Sequence, residues 1–284
     1  MTDAPHAVDS LRRWIAEHRR VVVLTGAGCS TASGIPDYRD EQGEWKRRPP
    51  VMFQAFRTQE STYRRYWARA FAGWPRFTNA APCPAHHALA AWEQAGSVAR
   101  LITQNVDGLH QRAGHRDVID LHGRLDVVLC LNCRDRTSRA SVQEAMASAN
   151  AQWQASAATA PDGDADIDPA AIESFEPPRC VHCGGLLKPD VVFFGENVPS
   201  ARYEEARDAV AAADAILVAG SSLMVYSGFR FVRQAHDAGL PIAIVNRGRT
   251  RGDELATLKV EGDVGTVLTE AQSLFRSLGD IEAS

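Results

Sequence analysis

Lysine is scarce in this chain: among 31 basic residues only Lys46, Lys188 and Lys259 are lysines. With the abundance of alanine, that bias suggests a GC-rich bacterial genome and carries no chemistry. Long apolar runs are also missing, and none approaches the roughly 20 residues that a spanning helix requires. The opening MTDAPHAVDS has acids before any basic residue and no apolar stretch, so it reads as neither a secretory signal nor a transit peptide, and the cytoplasm is the expected compartment. Neither sign of charge dominates. A formal net charge of −4 gives no electrostatic reason to expect nucleic acid or an anionic membrane as the main partner. Nor is a disulfide framework needed, because 284 residues can bury a substantial core in one large domain or two smaller ones.

A further absence is local. Val21-Val22-Val23-Leu24 reads as a buried parallel strand, and Gly26-Ala27-Gly28 follows it where open α/β sheets bind ligands. A hydride-transfer fingerprint would place a third glycine at position 31, but Thr31 stands there and the next glycine is Gly34. A loop rich in Ser30, Thr31, Ser33, Asp37 and Arg39 takes the place of the early helix. Such a loop can hold a pyrophosphate while sending polar side chains toward the nicotinamide end, which suits cleaving a dinucleotide better than exchanging hydride with it.

Strand-like runs recur at Val21 to Thr25, Val98 to Thr103, Val118 to Leu121, Ala215 to Ala219 and Pro241 to Val245. Helical spacing occupies Asp9 to Arg19, Pro199 to Ala213 and Phe229 to Ala238. The alternation predicts a Rossmann-like, doubly wound parallel sheet of the α/β class. Met52 to Phe77 is aromatic and arginine-rich and predicts a helical flap, and the Leu129 to Leu187 stretch predicts an inserted cysteine module with a low-complexity surface excursion. The expected division is a nucleotide-binding domain from 1–45, 78–126 and 191–284, and a small helical and metal-binding domain from 46–77 and 127–190.

Cys130-x-x-Cys133 and Cys180-x-x-Cys183 suit two turns that aim four thiolates at one tetrahedral metal, a closed structural zinc site. The alternative is two redox pairs or incidental thiols. The 46 intervening residues matter little if the turns stay paired, Gly184-Gly185 fits a tight knuckle, and His182 is expected to point away. Gln104-Asn105-Val106-Asp107 follows a strand on the ligand edge, although Asn and Asp are also ordinary turn formers. His122 ends a further strand there. Such a histidine is often merely packed, but on this edge it points to a general base. Gly220-Ser221-Ser222 and Asn246-Arg247-Gly248 repeat the strand-then-polar-turn pattern, so four sets converge.

Taken in order, GAGCSTASGIPDYRD, TQNVD, LHG, the CxxC pairs, KPDVVFFGE, GSSLMVYSG and Asn246 resemble the sirtuins, the NAD-dependent protein deacylases, over about Val21 to Val267. The YWARAFAGWP and PDGDADID segments resemble the class II branch most. The resemblance implies that Gly26, Ala27, Gly28 and Ser30 hold the NAD pyrophosphate and that Ile35, Asp37, Tyr38 and Arg39 close over the nicotinamide ribose. It implies that Gln104, Asn105 and Asp107 serve the nicotinamide pocket, and that Gly220, Ser221, Ser222, Asn246, Arg247, Gly248 and Val264 serve the adenosine half. His122 and Asn105 correspond to the catalytic centre. His122 would deprotonate a ribose hydroxyl so that it captures the acyl group, giving nicotinamide, free lysine and O-acyl-ADP-ribose. Val192, Phe193, Phe194 and Gly195, facing Leu223 and Val225, resemble the edges between which an acylated peptide adds as a strand. Tyr66 and Arg69, three residues apart, match a Tyr-x-x-Arg pair that binds acyl carboxylates in the desuccinylase branch, so acidic acyl groups such as glutaryl are expected; the alternative is a solvated flap arginine. Cys29 stands where many relatives carry an aliphatic residue, as a small apolar substitute or an oxidant-sensing thiol. Mono-ADP-ribosyl transfer to protein is the competing activity. A zinc-ribbon nucleic-acid module is the non-enzymatic one, and Asp162, Asp164, Asp166 and Asp168 in the insertion weigh against it.

Overall fold

A computed structural model describes residues 4–35, 37, 51–154 and 167–272. Tyr38 and Arg39, expected at the ribose, lie outside the described residues, as does most of the low-complexity stretch. The chain runs α1 (Ala4–Glu17), β1 (Val21–Thr25), α2 (Phe53–Thr58), α3 (Glu60–Asn79), α4 (Pro84–Gln94), β2 (Val98–Thr103), α5 (Leu109–Arg112), β3 (Val118–Asp120), β4 (Gly123–Cys130) and β5 (Arg136–Ser138). It continues through α6 (Arg139–Ala149), α7 (Pro169–Glu173), β6 (Leu187–Val191), α8 (Ser200–Ala211), β7 (Ala215–Ala219), α9 (Tyr226–Asp237), β8 (Ile242–Asn246) and β9 (Leu258–Glu261). Among the described residues no helix is long and apolar enough to cross a membrane.

Six parallel strands pair in the order β3-β2-β1-β7-β8-β9, the doubly wound sheet expected from the alternation. Every residue of β1, β7 and β8 is buried, because helices cover both faces. On one face Val8, Leu11 and Ile15 of α1 follow helical spacing and pack with Leu89 and Trp92 of α4. On the other, Ala206 and Val210 of α8 meet Phe231, Val232 and Ala235 of α9. The order of strands reverses between β1 and β7, and ligands bind at such a switch point.

Register brings the motifs level. Thr25 pairs with Thr103 and Ala219, and Ala219 pairs with Val245, so Gly26, Gln104, Gly220 and Asn246 each come one step further along. Thr103 pairs with Asp120, which puts His122 two residues beyond that level. Only Leu121 and His122 separate β3 from β4, where a second sheet of order β5-β4-β6 begins. Gly123 makes this junction possible. At φ +83° its missing Cβ would lie 1.9 Å from the Asp190 carbonyl oxygen.

The expected flap is two helices, α2 and α3, broken at the extended Gln59. Phe56, Tyr63 and Trp67 from this pair are fully buried against Val128, Val142, Phe175 and Leu187, so the flap is the core of the second sheet. Tyr63 donates to the Pro178 carbonyl at 2.6 Å and Trp67 to the Leu187 carbonyl at 3.2 Å, which ties α3 to β6 and the segment before it.

Candidate active site and metal centre

Gly26 and Gly28 are required by close approach. A Cβ on Gly26 would lie 2.8 Å from the Ser221 side chain, and one on Gly28 would lie 2.9 Å from the Gly220 carbonyl oxygen. Gly220 reciprocates at φ +65°, where a Cβ would sit 2.4 Å from the Cys29 nitrogen. The two turns interlock. The amides of Gly26, Gly28, Cys29 and Ser30 are bonded to the carbonyls of Ala219, Gly220, Gly26 and Ala27, so the loop is rigid before any ligand arrives. Ile35 closes it by donating its amide to the Ser30 carbonyl, and Asp37 lies two residues on.

Ser30 is the hub beneath this loop. Its hydroxyl donates to Asp107 Oδ2 at 2.7 Å and accepts from Asn105 Nδ2 at 2.9 Å. Asn105 also donates to the Gly26 carbonyl at 3.0 Å, and Asp107 Oδ1 accepts the Leu109 amide at 2.9 Å. Burial pushes the Asp107 carboxyl up, with the bonds from Leu109 and Ser30 pulling the other way. Behind Ser30 lies His86. Its Nδ1 accepts the Cys83 amide at 3.2 Å, so Nε2 carries the proton and faces Ser30 Oγ at 3.3 Å. Burial, then His115 and His87, pulls its pKa down to about 4.

Cys29 is 1% exposed and its thiol is pushed well up, first by burial and then by Cys83 and Asp107. That is the environment of a small apolar substitute and not of a reactive thiolate. Cys29, His86 and His110 place potential ligand atoms within 4.8 Å of one another. Hydrogen bonding argues against a metal there. Both His86 nitrogens are engaged, and His110 Nε2 is 2.9 Å from Thr25 Oγ1.

His122 is half-buried between the two sheets. Its Nδ1 lies 3.0 Å from the Gln104 carbonyl, which can only accept, so the proton is on Nδ1 and Nε2 offers a lone pair. Burial holds its pKa below the ordinary value, Arg202 adds to this, and the Gln104 carbonyl opposes it. Gln104 is itself held by Ser221, which donates to its Oε1 at 2.6 Å. The His122 carbonyl accepts the Val192 amide at 2.8 Å, bringing the 192–195 segment alongside.

That segment is clamped by a pair the sequence reading missed. Lys188 is 4% exposed, and its ammonium donates to Glu196 Oε2 at 2.9 Å and to the Val191 carbonyl at 2.5 Å, while Glu196 accepts the Phe193 amide at 2.9 Å. Phe194 pairs with Met52 in a parallel bridge, and Gly195 at φ +80° turns the chain beside it. Tyr66 packs edge-on to Phe56 and at 5.1 Å from the Phe193 ring, so the flap reaches this segment; Arg69 is half-buried one turn further along α3.

Elsewhere the structure separates backbone from side chain. Leu223, at φ +59°, is 1% exposed with its side chain in the core of α8 and α9, and Val264 is buried against Val267 and Leu268, so both offer a ligand only their main chain. Val225 is the N-cap of α9 and presents a half-buried side chain. Asn246 donates to the carbonyls of Arg247 at 2.8 Å and Gly248 at 3.4 Å, Arg247 is exposed, and the Ser222 carbonyl accepts the Arg251 amide.

Cys130, Cys133, Cys180 and Cys183 form one cluster. The Cys130–Cys183 and Cys133–Cys180 sulfurs are 3.6 and 3.7 Å apart, too far for disulfides and near the roughly 3.8 Å edge of a tetrahedron with metal–sulfur bonds of about 2.3 Å. The two knuckles match: Arg134 and Gly184 donate to the carbonyls of Cys130 and Cys180, and both are left-handed, at φ +65° and +69°. Gly185 is needed, since a Cβ there would lie 3.2 Å from two of the sulfurs. The cluster fits a structural zinc. His182 is 65% exposed with Nε2 3.6 Å from Asp135, outside the ligand set.

A sequence profile described as the Sir2 family matches residues 26–227. The chain is 60% identical over 262 residues to "NAD-dependent protein deacetylase 2" of Bradyrhizobium diazoefficiens, covering 92% of this chain and 96% of that one. It is 48% identical over 268 residues to the human "NAD-dependent protein lipoamidase sirtuin-4, mitochondrial", covering 93% and 85%. Among solved structures, one described as "Sir2-p53 peptide-NAD+" superposes with a TM-score of 0.74 at 31% identity, covering 96% of this chain and 98% of that one.

Proposed function

The chain belongs to the Sir2 family and is an NAD-dependent protein lysine deacylase, and we propose that His122 is its base, with Asn105, Asp107 and Ser30 as the wall of the nicotinamide pocket. NAD, when bound, would supply an anomeric carbon that takes the acyl carbonyl oxygen as nicotinamide leaves and a ribose hydroxyl that then captures the acyl group, with water completing the release of lysine. The chain supplies geometry and one proton acceptor. Asn105 spends both its amide protons on Gly26 and Ser30, which leaves Oδ1 to accept from a ligand carboxamide. Asp107 is a half-buried carboxylate fixed by two donors, preorganised toward a polar ligand without reorganising when it arrives. Gly26, Ala27 and Gly28 hold a tight turn at the switch point, where a pyrophosphate would lie. Gln104 stands beside Asn105 at the nicotinamide pocket, and Ser221, Asn246 and the main chain of Gly220, Ser222, Gly248 and Val264 would line the way toward the adenosine half.

The observation that carries this reading is the tautomer of His122: with Nδ1–H given to Gln104, Nε2 carries the lone pair that would take a hydroxyl proton. Desolvation keeps the ring neutral near pH 7, as a base must be. An extended acyl-lysine peptide would lie between the backbones of 192–195 and 223–225.

For the acyl group, Tyr66 and Arg69 favour an acidic chain such as glutaryl, with the guanidinium meeting the distal carboxylate. The packing of Tyr66 on Phe56 and Phe193 favours a second reading, an apolar acyl chain of the kind the human relative's name records. Rates of Arg69→Ala on glutaryl, lipoyl and acetyl peptides separate them. The acidic preference predicts a loss of ten-fold or more confined to glutaryl; equal losses on all three would refute it.

A further inference from the structure

Ser227 touches the base and has no part in the scheme above. Its Oγ lies 2.8 Å from His122 Nε2. We propose that Ser227 is a positioning residue: its hydroxyl donates to Nε2 before NAD binds, holding the ring and its tautomer ready, and yields that place to the ribose hydroxyl. The inference rests on reading His122 as the base.

The direction of the bond follows from proton counting. The Gln104 carbonyl takes the Nδ1 proton, a neutral imidazole has no second proton, and Ser227 must therefore be the donor. The ribose hydroxyl would donate to the same lone pair, so the two hydroxyls exclude one another.

The position of Ser227 is built in. It occupies the first turn of the 12-residue α9, and the next residue, Gly228, abuts Gln104 so closely that a Cβ would lie 2.4 Å from its Nε2. Gln104 is in turn anchored by Ser221 and by its amide bond to the Thr25 carbonyl at 3.0 Å. Both partners of the imidazole thus belong to one interlocked unit, the Gln104 turn and the start of α9. The amino-terminal end of α9 also disfavours a proton on the ring. Charged groups on the surrounding elements include Asp107 after β2, Asp120 on β3, Arg124 and Asp126 on β4, Lys188 and Asp190 on β6, Arg202 on α8 and Arg230 on α9. Of these, Arg202 is the one whose charge reaches His122, and it is paired with Asp190 at 2.9 Å. Among the described residues, the His122 ring is bonded to the Gln104 carbonyl and the Ser227 hydroxyl and to no carboxylate.

The test is the pH dependence of Ser227→Ala, measured for NAD at saturating acyl peptide. Losing a donor to Nε2 removes support for the neutral ring, so its pKa rises. The base works unprotonated, and the acid limb of kcat/KM should move to higher pH by about half a unit to one unit. The acid limb of kcat should stay, because Ser227 has already left the ring in the bound complex. Ser227→Thr should restore the wild-type limb if it melts at the wild-type temperature. An unmoved kcat/KM limb in Ser227→Ala, or equal shifts in both limbs, would overturn the proposal. His122→Ala at wild-type turnover would instead bring down the reading of His122 itself.

Discussion

Lys188→Met is the most informative single change outside the reacting groups. Met keeps an unbranched apolar stem but deletes the ammonium, and with it the bonds to Glu196 and to the Val191 carbonyl and the charge held over the Phe193 and Phe53 rings. The side chains of this pair are 5% and 24% exposed, so the stranded Glu196 carboxylate is largely desolvated. Breaking one side of a buried pair costs about 3–5 kcal/mol. Glu196 retains the Phe193 amide and some water, which brings the expected loss to about 2–3 kcal/mol, or a fall in Tm of roughly 5–10 °C. The segment 192–195 loses its clamp, so KM for the acyl peptide should rise several-fold. KM for NAD should change little, since the Gly26 and Gln104 turns are untouched. Adding Glu196→Gln should return part of the stability, because no charge is then stranded. Melting curves and separate KM values for peptide and NAD check this. A Lys188→Met variant within about 0.5 kcal/mol of wild type, with unchanged peptide KM, would refute the clamp.

Acid should destabilise the protein through its buried histidines. The folded-state pKa of His86 is about 4, and burial lowers His110 and His115 as well, whereas unfolded histidine titrates near 6.5. Below about pH 6.5 the unfolded chain therefore binds protons that the fold refuses, so stability is full above that pH and falls toward pH 4. His86 alone contributes about 3 kcal/mol over this window; a denaturant midpoint that is flat from pH 7 to 5 would contradict it. Gly220→Ala must push the Cys29 turn aside, so KM for NAD should rise at least ten-fold while zinc content stays at wild-type level. Purified protein should carry one zinc per chain by elemental analysis, and Cys130→Ser should lose zinc, thermal stability and turnover together; full turnover without zinc would contradict a structural role.

The parallel sheet was legible because its central strands are buried on both faces and read as unbroken apolar runs. The convergence of Gly26, Gln104, Gly220 and Asn246 followed, since each ends a strand and parallel register does the rest. The edge strand β9 did not show, because Leu258–Glu261 alternates with charge and is only partly buried. Helix α9 begins at Tyr226, three residues earlier than spacing suggested, and those residues include Ser227. Contacts between distant segments had no local signal: Ser30 meets His86 across 56 positions and His122 meets Ser227 across 105. Lys188 and Glu196 are the two ends of the motif KPDVVFFGE, yet nothing in that string says that they pair. Leu223 and Val264 carry apolar side chains where a ligand edge was expected, and the core claimed them.

The central claim is that NAD is cleaved only in company with an acylated lysine and that His122, by taking a proton from a ribose hydroxyl, lets the ribose capture the acyl group. Mass spectrometry of the enzyme with NAD and an acyl-lysine peptide measures it directly. Nicotinamide, deacylated peptide and O-acyl-ADP-ribose should form in equal amounts, nicotinamide release should require the acyl peptide, and His122→Ala should abolish all transfer. Nicotinamide released without the peptide, with ADP-ribose appearing on protein, would contradict the account.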